Sequence, residues 1–238
     1  MSLLAVDRLE VHIQSSQILR DVTLRVEPRE VVCLVGRNGA GKTTTLRTIM
    51  GYRRPSGGTV AFKGESIAGL PTHAIARRGI GFAPEESEIF AELTVAENIE
   101  IATWTRPTTR AAAERIALAY EIFPRLRAYG GRGGAQISGG ERKMLSIARA
   151  LALDAELLLL DEPFEGLSPA IVPTIAQSIA AIIGLERGVL LAESNIHHVP
   201  AFASRLYVIE RGEIVFAGSL DEAHRDAAVL RVIGGKVS

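Results

Sequence analysis

The stretch Val31-Val32-Cys33-Leu34-Val35-Gly36-Arg37-Asn38-Gly39-Ala40-Gly41-Lys42-Thr43-Thr44 decides how the rest of the chain is read. An unbroken apolar run stops at Gly36, four residues follow, and Gly41-Lys42-Thr43 opens a segment with helical character. This is the G-x-x-x-x-G-K-[ST] spacing of a phosphate-binding loop, set between a strand and a helix as the motif requires. Gly36, Gly39 and Gly41 let the backbone curl so that successive N–H groups point at one anion. The helix starting near Lys42 adds the positive end of its dipole. The residues expected to touch a nucleoside triphosphate are therefore Gly36, Arg37, Asn38, Gly39, Ala40, Gly41, Lys42, Thr43 and Thr44. Lys42 is expected to reach the outer phosphates and the Thr43 hydroxyl to hold Mg²⁺. The competing explanation is an ordinary glycine-rich turn. With glycine near ~7% of residues, a chance match in such a chain is on the order of one in a hundred.

A chain of 238 residues has room for one large domain around a substantial core. Lys+Arg and Asp+Glu number 27 each, and the resulting zero net charge argues against a general electrostatic grip on nucleic acid. The single cysteine, Cys33, lies in the apolar run before the loop and reads as core filler. Met1-Ser2-Leu3-Leu4-Ala5 is followed at once by Asp7-Arg8, unlike a signal peptide. No apolar run reaches the roughly 18 residues of a membrane span. These features predict a cytoplasmic chain whose membrane role comes through a partner.

Residues 3–27 read as strands, with Val22, Leu24 and Val26 alternating with Thr23, Arg25 and Glu27 and a turn at Ser15-Ser16. Residues 31–35 are apolar throughout, as in a strand covered on both faces. A helix over 42–50 ends at Gly51, a strand covers 59–62, Pro71 starts a short helix, and 80–83 is a strand stopped by Pro84. From about 92 to 129 the character turns helical. Thr94 and Glu97 have the spacing of a capping box, and an Ala-rich helix over 110–123 places Ile116, Ala119, Tyr120 and Phe123 on one side. Trp104 is expected to pack, and residues 130–134 (Gly-Gly-Arg-Gly-Gly) to form a flexible hinge. Strands over 157–160 and 189–192, a helix over 170–183, a hairpin around Arg211-Gly212 and a final helix near Leu220 complete the pattern. Alternating strands and helices predict a mostly parallel sheet with helices on its faces.

Two further motifs carry chemistry. Leu157-Leu158-Leu159-Leu160 runs into Asp161-Glu162-Pro163, which puts two carboxylates at the carboxyl edge of the sheet, where ligands bind in such folds. Asp161 can hold Mg²⁺ through water, and Glu162 can position or deprotonate an attacking water. The other motif, Ile137-Ser138-Gly139-Gly140-Glu141, opens an amphipathic helix. A capping box explains Ser138 and Glu141. It does not explain two glycines at the helix start, which weaken it by up to ~1 kcal/mol each. Bare glycines fit a phosphate that must approach the helix end closely.

Taken in this order, the phosphate loop, Ile137-Ser138-Gly139-Gly140-Glu141 and the leucine run into Asp161-Glu162-Pro163 resemble the ATP-binding subunit of ABC transporters over essentially the whole chain. Tyr120-Glu-Ile-Phe-Pro-Arg-Leu126, the helix after Ser138 and Glu165-Gly-Leu-Ser-Pro169 look most like the subunits that serve branched-chain amino acid importers. The resemblance implies an α/β fold within 1–238: a P-loop NTPase core with a mostly parallel sheet, an N-terminal antiparallel β subdomain over 3–30 and a helical insertion over about 88–155. It also implies head-to-tail dimerisation, with Ser138, Gly139 and Gly140 touching nucleotide held by the partner chain.

Four positions depart from the family pattern. Ile13 stands where an aromatic residue usually stacks on adenine, a contact worth about 1–3 kcal/mol. Glu85 stands where a glutamine usually senses Mg²⁺ and the membrane partner; its carboxylate can bind the ion but donates no hydrogen bond when ionised. Ser168 replaces an aspartate, and Ser194 replaces the usual switch histidine, able to hydrogen-bond the γ-phosphate but without positive charge. His197 and His198 nearby are expected in a solvated first helical turn.

The expectation is an ATPase powering a membrane importer for branched-chain or related amino acids, peripheral on the cytoplasmic face. Glu162 and Lys42 would be catalytic, Thr43, Asp161 and Glu85 would serve Mg²⁺, and Ile13 and Ser194 would join the ATP site. Its partners would be a second ATPase subunit, a heterodimer being favoured, and membrane-spanning permease subunits, with no nucleic acid. The alternative is a catalytically weak nucleotide switch whose paralogous partner does most of the hydrolysis. A DNA- or ribosome-directed ATPase would carry two such domains or a long coiled coil, and a GTPase would show Asn-Lys-x-Asp; neither is present in the sequence.

Overall fold

The computed structural model of the protein describes residues 2–233; Met1 and 234–238, part of the expected 1–238 domain, lie outside the described residues. β1 (Leu4–Ile13) and β2 (Ser16–Val26) pair antiparallel, with Ile13 opposite Ser16. The connecting turn is Gln14-Ser15, one residue earlier than expected, and Gln14 takes a left-handed φ of 55°. β3 (Val31–Val35) leads through the phosphate loop into α1 (Lys42–Ile49). β4 (Gly57–Phe62) begins two residues before the expected strand over 59–62, and pairs antiparallel with β1 and with β5 (Glu65–Ser66). α2 (Thr72–Arg78), capped by Pro71, precedes β6 (Ile80–Ala83). The helical stretch holds α3 (Val95–Thr103), α4 (Ala112–Ile122), α5 (Pro124–Arg127) and α6 (Gly139–Ala152). β7 (Leu157–Asp161), α7 (Val172–Gly184), β8 (Gly188–Glu193), β9 (Arg205–Glu210), β10 (Glu213–Gly218), α8 (Leu220–Arg225) and α9 (Ala227–Ile233) follow.

Two sheets result. A four-stranded antiparallel sheet has the order β2-β1-β4-β5, and a six-stranded sheet has the order β10-β9-β3-β8-β7-β6. All neighbours in the second are parallel except β9 and β10. Its central strands are buried on both faces, which is why they read as continuous apolar runs. Val31, Cys33 and Val35 face a core shared with α3, α4, α6 and α7, whereas Val32 and Leu34 face a second core shared with α1 and the antiparallel sheet. β7 and β8 divide in the same way. The parallel strands therefore all end at one edge, directly behind the phosphate loop, Asp161-Glu162 and Glu193.

Two expectations about loops are corrected. Residues 130–134 are not a free hinge. Val95 N–H donates to Arg132 O, Ala96 N–H to Gly130 O and Gly134 N–H to Leu93 O, stitching the glycines to the start of α3. Trp104 does not pack: it is 72% exposed at the end of α3. Among the described residues, no helix is long and apolar enough to cross a membrane.

Candidate nucleotide site

The loop between β3 and α1 owes its shape to glycines acting in two ways. Gly41, the residue before α1, has φ 116°, which a side chain would strain. Gly36 has an ordinary φ, but a Cβ there would meet Ile209 O at 2.3 Å, so the glycine admits β9 at close range. The loop wraps a cleft of about 450 Å³ lined by Ile13, Asn38, Gly39, Gly41, Lys42, Thr43, Thr44, Glu85 and Glu162. Nine of the expected residues thus share one cavity, joined by Ile18, which sequence reasoning passed over. Gly36 and Arg37 contribute carbonyls, and Ala40 is buried behind the loop with its carbonyl accepting from Gly212 N–H at 2.8 Å.

Lys42 Nζ is buried and fully engaged. It donates to Gly36 O at 2.7 Å and Arg37 O at 3.3 Å, and lies 3.0 Å from Glu162 Oε1. Glu162 has φ 47°, rare for a side chain with a Cβ, and its N–H donates to Ala192 O at 2.9 Å. Its other carboxylate oxygen accepts from both the N–H and the hydroxyl of Ser194, each at 3.0 Å. Ser194 is therefore engaged with Glu162, a partner that sequence reasoning did not foresee. The same strained backbone aims Glu162 at Lys42 on one side and Ser194 on the other.

Asp161, 1% exposed, accepts from Thr43 Oγ1 at 3.2 Å through Oδ1. Its Oδ2 is buried with no hydrogen-bond partner. Burial pushes its pKa up to about 6, opposed by the Thr43 hydrogen bond and reinforced by Glu162 and Glu85. An orphaned buried carboxylate oxygen beside a hydroxyl fits a cation. Among the described residues no three His, Cys, Asp or Glu side chains form a metal cage of their own. One or two carboxylates plus a hydroxyl is the donor set expected for Mg²⁺ shared with phosphate oxygens.

Glu193 ends β8 fully buried. Its Oε1 accepts from Phe164 N–H at 3.2 Å, and Oε2 lies 3.1 Å from His198 Nδ1. Burial, and then the charge of Glu162, push its pKa up to about 9. This corrects the solvated role expected for His198, which sits on a 3₁₀ turn (Ile196–His198) against that carboxyl group; His197 is exposed as expected. Ser168 is exposed, and its carbonyl caps the entry to α7 through Ile171 N–H.

Ser138, Gly139 and Gly140 do not line the cleft. They head α6 with the expected capping box: Ser138 N–H donates to Glu141 Oε2 at 2.8 Å, and Glu141 N–H to Ser138 Oγ at 3.4 Å. A Cβ on Gly139 would meet nothing nearer than the Arg142 guanidinium at 3.9 Å. Packing within the chain does not demand glycine there.

Residues 19–165 match the family model described as ABC transporter. The chain is 37% identical to the lipopolysaccharide export system ATP-binding protein LptB of Haemophilus influenzae, over 99% of this chain and 98% of that protein. It is 36% identical to the high-affinity branched-chain amino acid transport ATP-binding protein BraG of Pseudomonas aeruginosa, over 90% of this chain and 91% of that protein. These relatives divide on the transported solute, so the importer type suggested by residues 120–126 and 165–169 is not singled out. A dimeric post-hydrolysis ATP-binding cassette bound to ADP and Pi shares the fold, with a TM-score of 0.81 at 21% identity over 91% of this chain and 98% of that one. The order of motifs, the two-sheet architecture and these matches agree: the chain belongs to the ABC transporter family and is an ATP-hydrolysing, ATP-binding subunit of that family.

Proposed function

We propose that the chain hydrolyses Mg²⁺-ATP with Glu162 as general base and couples each cycle to amino-acid import. The observation that carries the hydrolytic reading is the meeting of Lys42, Glu162 and the Thr43–Asp161 pair at one strand edge. Incoming phosphates compete for the Lys42 ammonium and so free Glu162 Oε1, while Ser194 keeps Oε2 fixed. Glu162 then accepts a proton from the attacking water. Mg²⁺, held by Thr43 and Asp161 with Glu85 near by, would neutralise charge on the phosphates. Ser138, Gly139 and Gly140, at the amino end of α6, would close over nucleotide bound by a second subunit, a heterodimeric paralogue being favoured.

A membrane-spanning permease has a suitable seat. A groove of about 600 Å³, lined in part by Tyr52, Phe82, Phe90, Ile101 and Leu153, adjoins the loop that carries Glu85. The chain would thus act at the cytoplasmic face, peripheral to the bilayer, without nucleic acid. Its likeness to the branched-chain amino acid protein of Pseudomonas aeruginosa supports the solute class. The 37% identity to LptB supports a second reading, lipopolysaccharide export. A third, a weakly catalytic switch beside a hydrolysing paralogue, draws on Ile13, Ser168 and Ser194.

Co-purifying the membrane subunits and reconstituting the complex tests these readings. Amino-acid uptake into vesicles coupled to phosphate release supports import, and lipopolysaccharide-stimulated turnover supports export. Absence of single-turnover hydrolysis by the isolated chain would favour the switch.

A further inference from the structure

Lys143 lies on α6, downstream of the two bare glycines, and is only 5% exposed. Its Nζ donates to the Glu85 carbonyl at 2.5 Å, closing the loop after β6 onto the helix. Burial lowers the pKa of its ammonium, and the facing carboxylates of Glu85, Glu193, Asp161 and Glu165 oppose that effect. The buried lysine that lines the cleft, Lys42, is committed to Glu162. A buried ammonium is costly to desolvate, and a methionine would fill a similar volume, so the charge is accounted for by what it faces. Arg149, further along the same helix, also donates to the loop, at Glu88 O 2.8 Å away, but on the side of the apolar groove.

Lys143 thus joins the loop whose Glu85 lines the cleft to the helix that presents Ser138, Gly139 and Gly140. We propose that Lys143 is a positioning residue for ATP hydrolysis, tying the Glu85 loop to α6 and so holding the Glu85 side of the cleft in place. The proposal rests on the cleft being a nucleotide site completed by a second subunit. Lys143 makes no hydrogen bond to residues 36–44, so its loss leaves the phosphate loop intact and frees the Glu85 loop that lines the cleft. Small misplacements of reacting groups cost rate far more than affinity.

The test compares Lys143→Met, Lys143→Gln and Lys143→Arg in the full chain. Turnover and nucleotide affinity are read in complex with the membrane subunits, and amide hydrogen exchange on the nucleotide-free chain. Lys143→Met is expected to lower kcat on the order of tenfold to a hundredfold, with the Kd for ATP changed by less than about threefold. Amides of 85–88 should exchange faster, and Lys143→Arg, which keeps charge and donors, should recover most of the turnover. Lys143→Gln is too short to reach Glu85 and should behave as the methionine variant; it is the one to read if methionine prevents folding. Unchanged exchange at 85–88 together with kcat within about twofold of the parent overturns the proposal. So does a loss confined to ATP affinity. Because exchange is read without nucleotide, it decides the tether even if the parent chain failed to hydrolyse ATP, an outcome that would sink the assignment of the cleft instead.

Discussion

β7 and β8 are neighbours in one sheet, yet their two ends treat buried charge in opposite ways. At their amino ends, Asp154 Oδ1 meets Arg187 at 2.6 Å and Arg110 at 3.2 Å, and the Asp154 carbonyl accepts from Arg106 at 2.8 Å. Glu156 is held by Arg106 at 3.0 Å and Lys63 at 2.8 Å. Burial pushes both carboxyl groups up, but these cations outweigh it and hold both pKa values below the ordinary carboxylate range. At the carboxyl ends, Asp161, Glu162, Glu165 and Glu193 gather near Glu85 with the buried lysines Lys42 and Lys143. There burial prevails, and Asp161, Glu165 and Glu193 are all raised.

The contrast separates a finished structural clamp from an edge short of positive charge, which suits a site completed by what it binds. Backbone strain follows the same division. Asp154 has φ 62°, but it directly follows α6, where a left-handed residue is routine. Glu162 has φ 47° at the end of a strand, where no such convention applies.

Breaking each end in turn should give different readouts. The largest effect is expected from Glu162→Gln, which should slow phosphate release by about 10²–10⁴-fold while Mg²⁺-ATP still binds. A variant that hydrolyses as fast as the parent in the assembled complex would remove Glu162 from the role of base. Arg187→Met leaves Asp154 without its shortest ion pair but still beside Arg110, and should cost about 1.5–3 kcal/mol in urea unfolding, with ATP affinity untouched. An equal loss of affinity would mean that the two edges are not independent.

Glu193→Gln probes charge deficiency through pH. The native carboxyl group has a pKa of about 9, above its ordinary value, so its protonated form stabilises the fold. That contribution is complete below about pH 4.5 and is lost as pH rises towards 9. A glutamine mimics the protonated group, so parent and variant should converge in acid and the variant should be the more stable in alkali. Denaturant melts across that window measure the crossing, and parallel curves would contradict it. The smallest effect belongs to the rim of the cleft. Ile13→Tyr should tighten ATP binding by about 1–3 kcal/mol if an aromatic ring there meets adenine. A nucleotide titration with no gain would place the base elsewhere.

Much of the edge was legible in the chain because its demands are local. The spacing from Gly36 to Thr43, the apolar runs over 31–35 and 157–160, and the capping boxes at Thr94 and Ser138 each specify backbone geometry within a few residues. Loops were read less well. Trp104 looked like a packing residue because tryptophan usually is, and the glycines at 130–134 looked free because their backbone bonds to 93–96 leave no trace in composition. Lys143 was assigned no role; an ionisable residue on an otherwise core-facing stripe of α6 was the available signal.

The amino-acid sequence determined where a phosphate can be cradled, which strands are buried on both faces, and which helix begins with bare glycines. Tertiary structure alone decided which charges confront one another. Lys42 meets Glu162, Ser194 grips the same carboxylate, and Lys143 reaches the Glu85 carbonyl. Those partners are far apart in the chain and become neighbours through the strand order β3-β8-β7-β6. Turns and caps are written in adjacent residues, whereas the balance between desolvation and Coulomb attraction at a strand end depends on every segment that the sheet brings there.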